Sequence, residues 1–575
     1  MDKTPLYTAP MLTKLLAQQH QKRSPGLFNQ GIFTLQWRGK VGSFPYPDLE
    51  TIVSAGEPCG RWEWKPDQDF GQMDQRKTTL LLNGYIPASA IRGIVRAWAK
   101  TQGIQLRMQE LLGKQEDNTI TSGKIEFLDA WSETPTKLAL DITNPQENFQ
   151  VYHKSDEQGK PLPLYTLGNG HDSVQVTVAI RGIPNTQVTE TDVDEVWGWV
   201  QQALSFYGVG SRTASGYGQI KPAQKINLDW PEGYQVKEFG FSLYSQGCHG
   251  PSSQKELRPS HWRGWLRSWT LRCLLGVMSK DNAQLTLEEL FGTLESNSGG
   301  RSKQGKVRIE MLRGSQQQFW GDRSSDQDRS SDQLDFYAWK GRLQISAPTG
   351  TLELIILPIV KFAVSVGGVG RGWRRPLHIF MMDIKDRETR EKIGERAASR
   401  GTYLTLLYRE ESGVKNFALP LKPQIWQETY KQWQESIQKA YPDRYLYVSQ
   451  NPEAEVFSLE TCGIYFVSGP TQEPLDKDNL KWAISNATAT RGKGMDKIYN
   501  SQYKRNPDVG GDAARGNAHC SWVSIKRVPV KDAGTKEIVC LFMGGQTPQS
   551  NHLRADFLRD LATIPGAIHL FGVQP

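Results

Sequence analysis

Apolar residues recurring at helical spacing, Val193, Val196, Trp197, Val200, Ala203 and Leu204, predict a helix that Thr191 and Asp194 open as a capping box. A second stripe, Ile91, Ile94, Val95 and Trp98, predicts a helix capped by Ser89. Alternation over residues 31–41, with Phe33, Leu35 and Trp37 on one side, predicts a half-buried strand. Further strands are expected at 79–82, 123–128 and 174–181, and residues 43–78, rich in Pro, Gly, Asp and Trp, read as a long insertion loop. The first helix above runs into residues 206–220, and a short strand is expected at 216–221.

That connection carries the chemistry. Gly208, Gly210, Gly216 and Gly218 permit positive φ and a close approach to a ligand. Ser211, Arg212, Thr213 and Ser215 stand between them and offer hydroxyls and a guanidinium fork, which suit phosphate oxygens. A helix-to-strand loop is the reverse of a Walker or dinucleotide-binding loop, which follows a strand and opens a helix. On the Ser89 helix, Arg92, Arg96 and Lys100 share one face, ordinarily the fate of solvated charges. Gly93 inside that helix costs about 0.8–1 kcal/mol against alanine unless something must pack close to it.

Three signals recur in the same order. Ser260, Arg263, Gly264, Arg267 and Trp269 repeat Ser89, Arg92, Gly93, Arg96 and Trp98. Leu290-Phe291-Gly292 before a strand at 305–310 repeats Leu111-Leu112-Gly113 before the strand at 123–128. Gly368-Val369-Gly370-Arg371 repeats Gly208-Val209-Gly210-Ser211-Arg212. A duplicated module follows. Between the last two signals of the second copy, residues 322–333 are two copies of Asp-Arg-Ser-Ser-Asp-Gln, a low-complexity tract expected to be a mobile surface loop. Beyond Arg375 the repeat stops. Residues 379–384 read as a strand, 386–400 as a charged helical segment, and 424–440 as an amphipathic helix with Ile425, Tyr430, Trp433 and Ile437. Strands at 465–467 and 519–528 and a helix at 553–561 follow, with 487–517 between them as an exposed basic arm.

Composition narrows the class. The chain has 575 residues, enough for two to four domains. A formal net charge of +8 permits a polyanionic partner without requiring one. The longest apolar run, 354–360, is too short to span a bilayer, and the start has no apolar signal core, so no membrane and a cytoplasmic location are expected. Six cysteines show no CxxC spacing. Cys248-His249 and His519-Cys520 offer adjacent ligands, a poor zinc geometry, so no metal and no cofactor is expected.

The order of these signals resembles the RAMP superfamily, the repeat-associated subunits of CRISPR effector complexes. The first module is similar to the Cmr-type subunit that caps type III complexes near the guide RNA 3′ end, on Leu140-Asp141-Ile142-Thr143-Asn144-Pro145, Pro161-Leu162-Pro163-Leu164 and the glycine loop. It departs by placing Gln146 where that family tends to have histidine. The second module, from Phe241 through Arg258-Pro259-Ser260 to the stretch ending at Arg375, resembles the opening of a two-module Cmr-type subunit. The resemblance implies an α+β fold with two ferredoxin-like (RRM-like) modules in tandem with long insertions: 1–230, 231–385, and 386–575 as an extension, insertion or third module that also completes the second. It implies contacts to guide or target RNA backbone from Ser89, Arg92, Arg96, Gly208, Gly210, Ser211, Arg212, Thr213, Ser215 and Gly216. In the second copy it implies the same of Ser260, Arg263, Arg267, Gly368, Gly370, Arg371, Arg374 and Arg375, with other type III effector subunits as partners.

Two other functions fit parts of the pattern. Asp67, Asp69 and Asp74 lie where backbone RAMP subunits can carry a cleaving aspartate, which would make the chain an endoribonuclease cutting target RNA or trimming guide precursors; no surrounding motif supports this. Tyr152 and His153 offer an acid/base pair, though a lone histidine is more often structural. A generic RRM-like binder would show aromatic stacking strands, and that pattern is absent. A non-catalytic RNA-binding subunit fits best. Because residues 322–333 hold almost no apolar side chains, removing them is expected to leave the thermal unfolding midpoint unchanged; a drop of several degrees would show that the tract packs.

Overall fold

Alternation along β1 (Phe28–Leu35) sends Phe33 and Leu35 into the core, and Trp37 follows them just past the strand. The computed structural model describes residues 14–15, 17–19, 22, 25–41, 44–45, 52–53, 85–116, 119–132, 138–143, 149–153, 162–170, 172–226, 230, 232–245, 248–249, 255–293, 303–312, 337–386, 389, 391–449, 451, 453–471, 490–512, 520–530, 534–544 and 548–575. Asp67, Asp69, Asp74, the 79–82 strand and the 322–333 tract lie outside them. The chain divides into two units: Met1–Pro145, Gly159–Glu232 and Gly250–Gln254 form one, and Gln146–Gln158, Gly233–His249 and Lys255–Pro575 the other.

In the first unit β1 is followed by β2 (Tyr85–Ile86), α1 (Ala88–Thr101), α2 (Gln105–Leu112), β3 (Ile125–Phe127) and β4 (Ala130–Ser132). Then come β5 (Leu138–Thr143), β6 (Leu162–Leu167), β7 (Val174–Gly182), α3 (Glu190–Tyr207) and β8 (Ile220–Pro222). The main sheet runs β8-β1-β7-β4-β2, with β3 also on β7. β5 and β6 pair antiparallel in a separate sheet. Two helix starts differ from the expected ones. Pro87 precedes α1 without a side-chain cap, and the Asp129 carboxylate accepts the Ala88 N–H at 2.8 Å instead, while Ser89 is exposed. The capping box of α3 is Thr189 with Asp192, two residues before the expected pair. Val193, Val196, Val200, Ala203 and Leu204 are buried as expected, and Trp197 is half-buried.

The second unit begins with β9 (Tyr234–Ser245), α4 (Pro259–Leu274), α5 (Lys280–Phe291), β10 (Arg308–Leu312), β11 (Tyr337–Pro348) and α6 (Leu357–Val366). A hairpin, β12 (His378–Lys385) and β13 (Lys392–Arg400), separates α6 from β14 (Thr402–Glu410) and β15 (Gly413–Asn416). The sheet runs β10-β11-β9-β14-β15, so its strand next to β9 comes from beyond residue 385. After α7 (Pro423–Ala440) come β16 (Cys462–Ser468), α8 (Lys493–Ile498), β17 (Val523–Val530), β18 (Gly534–Phe542), α9 (Pro548–Ala562) and β19 (Ile568–Gly572), with sheet order β17-β18-β16-β19.

The three largest antiparallel sheets among the described residues share one plan. Strand, helix, strand, strand, helix and strand follow in sequence, and the last strand lies beside the first, then the third, then the second. The plan reads β8-β1-β7-β3, β14-β9-β11-β10 and β19-β16-β18-β17. Residues 386–400 are a correction. Asp386 accepts hydrogen bonds from the Thr389 main chain and hydroxyl, which turns the chain, and Lys392–Arg400 then pairs along β12 as a strand. A charged sequence forms a strand where a neighbour offers a ladder. Residues 490–512 are not an exposed arm either, because Met495, Ile498, Tyr503 and Val509 are buried.

The core of the second unit is aromatic. Trp262, Trp265 and Trp269 line α4, Trp426, Tyr430 and Trp433 line α7, and Phe457 stacks on Phe571 at 5.2 Å. It also encloses charge. Glu455 is fully buried and accepts from Arg272 Nε at 2.8 Å, while Arg374 Nη1 and His153 Nε2 each lie 2.7 Å from it. Burial would raise this carboxyl, but Arg374 and Arg272 overcome it and hold Glu455 ionised well below the usual range. His153 stacks on Trp522 at 3.8 Å, a structural role for a residue that offered an acid/base candidate.

Lys526 is a buried cation whose ammonium donates to the Leu404 carbonyl, and burial pushes its pKa down to about 7. The unfolded chain keeps that proton up to its ordinary pKa of 10.5, so between about pH 7 and 10.5 it binds more protons than the folded one. This residue therefore makes stability rise with pH, by about 1.4 kcal/mol per unit at most. Lys526→Met is expected to be more stable than wild type near pH 7, with the advantage shrinking toward pH 10. Denaturant unfolding at several pH values reads this directly, and a pH-independent difference would refute the buried-cation account.

Candidate nucleic-acid interface

The glycine loop begins where α3 ends. Gly208 takes φ 72° and its N–H closes the helix on Leu204 O at 2.9 Å. The chain then folds on itself: Val209 N–H donates to Gly218 O, Gly218 N–H to Arg38 O and Ser211 N–H to Lys40 O, at 2.7–2.8 Å. A Cβ at Gly218 would lie 1.8 Å from Val209 O, and one at Gly210 2.2 Å from Lys40 O. The close approach that these glycines permit is thus to the protein's own backbone, not to a ligand. Tyr217, between Gly216 and Gly218, is buried, stands 4.7 Å from Trp37, and donates its hydroxyl to the buried Asp141 at 2.7 Å. That bond gives the Leu140–Pro145 signature a role: its carboxylate pins the loop.

What the pinned loop exposes is cationic. Ser211 and Arg212 are exposed, and Thr213 and Ser215 are half-buried. Lys40 sits beside Arg212, and burial together with that guanidinium lowers its pKa. Among the described residues neither cation carries an ion pair. Arg38 lies beneath them, buried, 5.7 Å from the Trp37 ring centre, with Nη1 3.4 Å from Thr166 Oγ1. Sequence reasoning did not pick out Lys40 and Arg38, although two basic residues just past the end of a strand were the available signal.

The second loop follows the same plan. Gly368 N–H donates to Trp373 O at 2.9 Å, and a Cβ on Gly368 would lie 1.8 Å from Thr402 Oγ1. Gly370 has φ 78°, and Arg371 beside it is exposed with no ion pair among the described residues. Arg374 and Arg375, expected at the interface, are committed to the interior. Arg374 joins Glu455 and lies 4.4 Å over Trp373. Arg375 donates to Val523 O at 2.5 Å and Ser521 Oγ at 2.8 Å, and burial lowers its pKa to about 10.

The arginine helices also differ from expectation. Arg92 donates to Leu112 O, Arg96 to Gly113 O at 2.7 Å, and Arg263 to Phe291 O. These carbonyls end α2 and α5, where a cation offsets the helix dipole. Both helices stop at a glycine with φ 81°, Gly113 and Gly292. The repeated Arg-Gly signal is therefore a helix-joining device in each copy. Arg92 stays exposed, Arg96 and Ser260 are half-buried, and burial lowers the pKa of half-buried Arg267. A Cβ placed on Gly93 or Gly264 would meet nothing within 4 Å, so no packing inside the protein asks for these glycines. No cluster of His, Cys, Asp or Glu among the described residues could hold a metal, and no described helix is long and apolar enough to cross a membrane.

Among solved structures, a chain of the type III-B Cmr-beta complex bound to cognate target RNA is 18% identical, over 38% of this chain and 67% of that one, with a TM-score of 0.27. Cmr6 from Pyrococcus furiosus is 18% identical over 35% of this chain and 100% of its own, at 0.19. A chain of a type IV-B CRISPR complex is 15% identical over 35% and 94%, at 0.23. Scores this low carry no argument about function. No curated protein matches the chain. Residues 83–221, which hold α1, α3 and the first glycine loop, match the family model of the RAMP superfamily, and this part of the chain is a RAMP superfamily domain.

Proposed function

We propose that the chain is a non-catalytic RNA-binding subunit of a type III CRISPR effector complex, holding guide RNA or the guide–target duplex by its backbone. One observation carries this reading. Two loops, each stiffened by its own main-chain bonds, present exposed cations without ion pairs among the described residues: Arg212 beside Lys40 in one copy, Arg371 in the other. Like charges held together in the free protein favour an anion between them. Hydroxyls of Ser211, Thr213 and Ser215 add acceptors and donors for phosphate and ribose oxygens, which carry no base identity. The open faces of Gly93 and Gly264 leave room for a strand to pass close to α1 and α4.

On this reading the sheets are ferredoxin-like modules in tandem. The first takes the role of the Cmr-type subunit at the guide 3′ end, and the second that of a two-module Cmr-type subunit, with neighbouring effector subunits as partners. The RAMP domain at 83–221 supports the first assignment, and the repeated strand order supports the tandem.

Arg212→Glu combined with Arg371→Glu is expected to weaken binding of single-stranded RNA at least about tenfold and to flatten the dependence of affinity on salt. Each phosphate left without its cation takes about 0.7 off the log–log slope. Fluorescence anisotropy across a salt series measures both, and unchanged affinity with unchanged slope in a folded variant would refute the proposal.

A further inference from the structure

The third sheet has the same strand order as the other two, yet α9 runs to β19 through a short turn, Thr563 to Ala567, without a glycine-loop apex bearing an arginine. Its cations lie elsewhere. Lys493, Lys504 and Arg505 are exposed on the chain either side of Tyr499, at and just after the third sheet's first helix. Arg491 lies 4.3 Å from the Tyr499 ring centre and Lys504 5.3 Å from it, so one aromatic ring holds two cations. Lys497 is turned away to Asp560 at 3.5 Å, and Asp496 lies near Lys493 and Arg491.

The ring itself is fixed to the second glycine loop. His378 Nδ1 lies 2.8 Å from Pro376 O, a pure acceptor, so that nitrogen carries the proton and Nε2 accepts from the Tyr499 hydroxyl at 2.7 Å. Pro376 directly follows Arg375, which also donates to Ser521 and to Gly510 O beyond the cationic turn. The cluster is thereby tied, through one histidine, to the root of the loop that exposes Arg371.

We propose that Lys493, Lys504 and Arg505, on the segment that Tyr499 anchors, form a further RNA-backbone contact that continues the path of a strand leaving the Arg371 loop. The inference rests on the RNA-binding reading above. A phosphate strand is the occupant that the charge selects: within the described residues 491–508, Arg491, Lys493, Lys504 and Arg505 outnumber the carboxylates of Asp496 and Asp508, and a fixed aromatic ring stands beside two of these cations. The site reads no sequence, since it offers charge and a ring edge rather than a base pocket.

The test uses the full chain and labelled single-stranded RNA long enough to cross both loops. Lys493→Glu with Lys504→Glu and Arg505→Glu is expected to weaken binding about tenfold and to lower the log–log salt slope by about 2, as the removal of three phosphate partners requires. The milder Lys493→Gln, Lys504→Gln, Arg505→Gln variant guards against misfolding and should shift the slope in the same direction. Hydroxyl-radical footprinting should show protection shortened at one end of the RNA. A slope and footprint equal to wild type in either folded variant would overturn the inference while leaving the two-loop reading intact, provided that the Arg212 and Arg371 variant still loses binding. Absence of RNA binding by the wild-type chain would overturn both.

Discussion

The second unit is organised around one buried carboxylate. Glu455 gathers Arg272 from α4, Arg374 from the second glycine loop and His153 from a segment that precedes β6 in sequence. Two guanidiniums in a dry interior are tolerable because that charge stands between them. Arg272 also lies 5.3 Å from the ring centres of both Trp269 and Trp373, and Arg554 3.9 Å from that of Trp522. Such a cluster is weak evidence for added stability, because desolvation offsets much of the attraction. Its consequence is specificity of geometry. With one partner removed, an uncompensated charge stays buried, at a cost of about 3–5 kcal/mol. The position of the second loop is thus set from below, by the residue that would have looked most useful on top.

The same logic runs through the repeat. An arginine at a recurring spacing suggests a ligand, and here the spacing is explained first by main-chain carbonyls. Arg92, Arg96 and Arg263 close the ends of α2 and α5, and glycines on both sides let the next segment cross close by: a Cβ at Gly113 would lie 2.7 Å from Gly123 N, and one at Gly305 2.2 Å from Phe291 C. What is left for a partner is what the scaffold does not consume, namely Arg212, Lys40 and Arg371 at loop apices.

Much of this was legible in the sequence. Helical stripes found α1, α3 and α7, and three signals in fixed order pointed to a repeat that includes α4, because core periodicity and glycine positions are local requirements. The interior roles of Arg374 and Arg375 were not legible, since they depend on Glu455 and Val523, distant in sequence. Nor was the β13 strand, whose charged sequence pairs only because β12 lies beside it. The third sheet was legible only in part: strands at 465–467 and 519–528 and a helix at 553–561 were read, but a third module stayed one alternative among others. This sheet keeps the strand order, but its Arg491-Gly492 precedes a helix of six residues without the spaced second arginine and tryptophan, and no arginine-bearing glycine loop follows its last helix. Residues 490–512 read as an arm because four buried side chains, Met495, Ile498, Tyr503 and Val509, are spread thinly among glycines and charges.

Stiffness explains why so few exposed cations can suffice. A flexible basic loop loses conformational freedom when it closes on a phosphate, and that loss subtracts from affinity. Here the ordering is done by folding: Gly218 and Val209 are bonded together, Ser211 is bonded to Lys40, and Tyr217 is bonded to Asp141. Arg212 and Lys40 stand close before any partner arrives, and the Lys40 pKa is lowered first by burial and then by that neighbouring guanidinium. An anion entering there relieves the repulsion between them and orders little besides two side-chain tips. On the proposed RNA-binding reading, each apex contributes a modest, salt-sensitive contact to the phosphate backbone rather than a deep pocket.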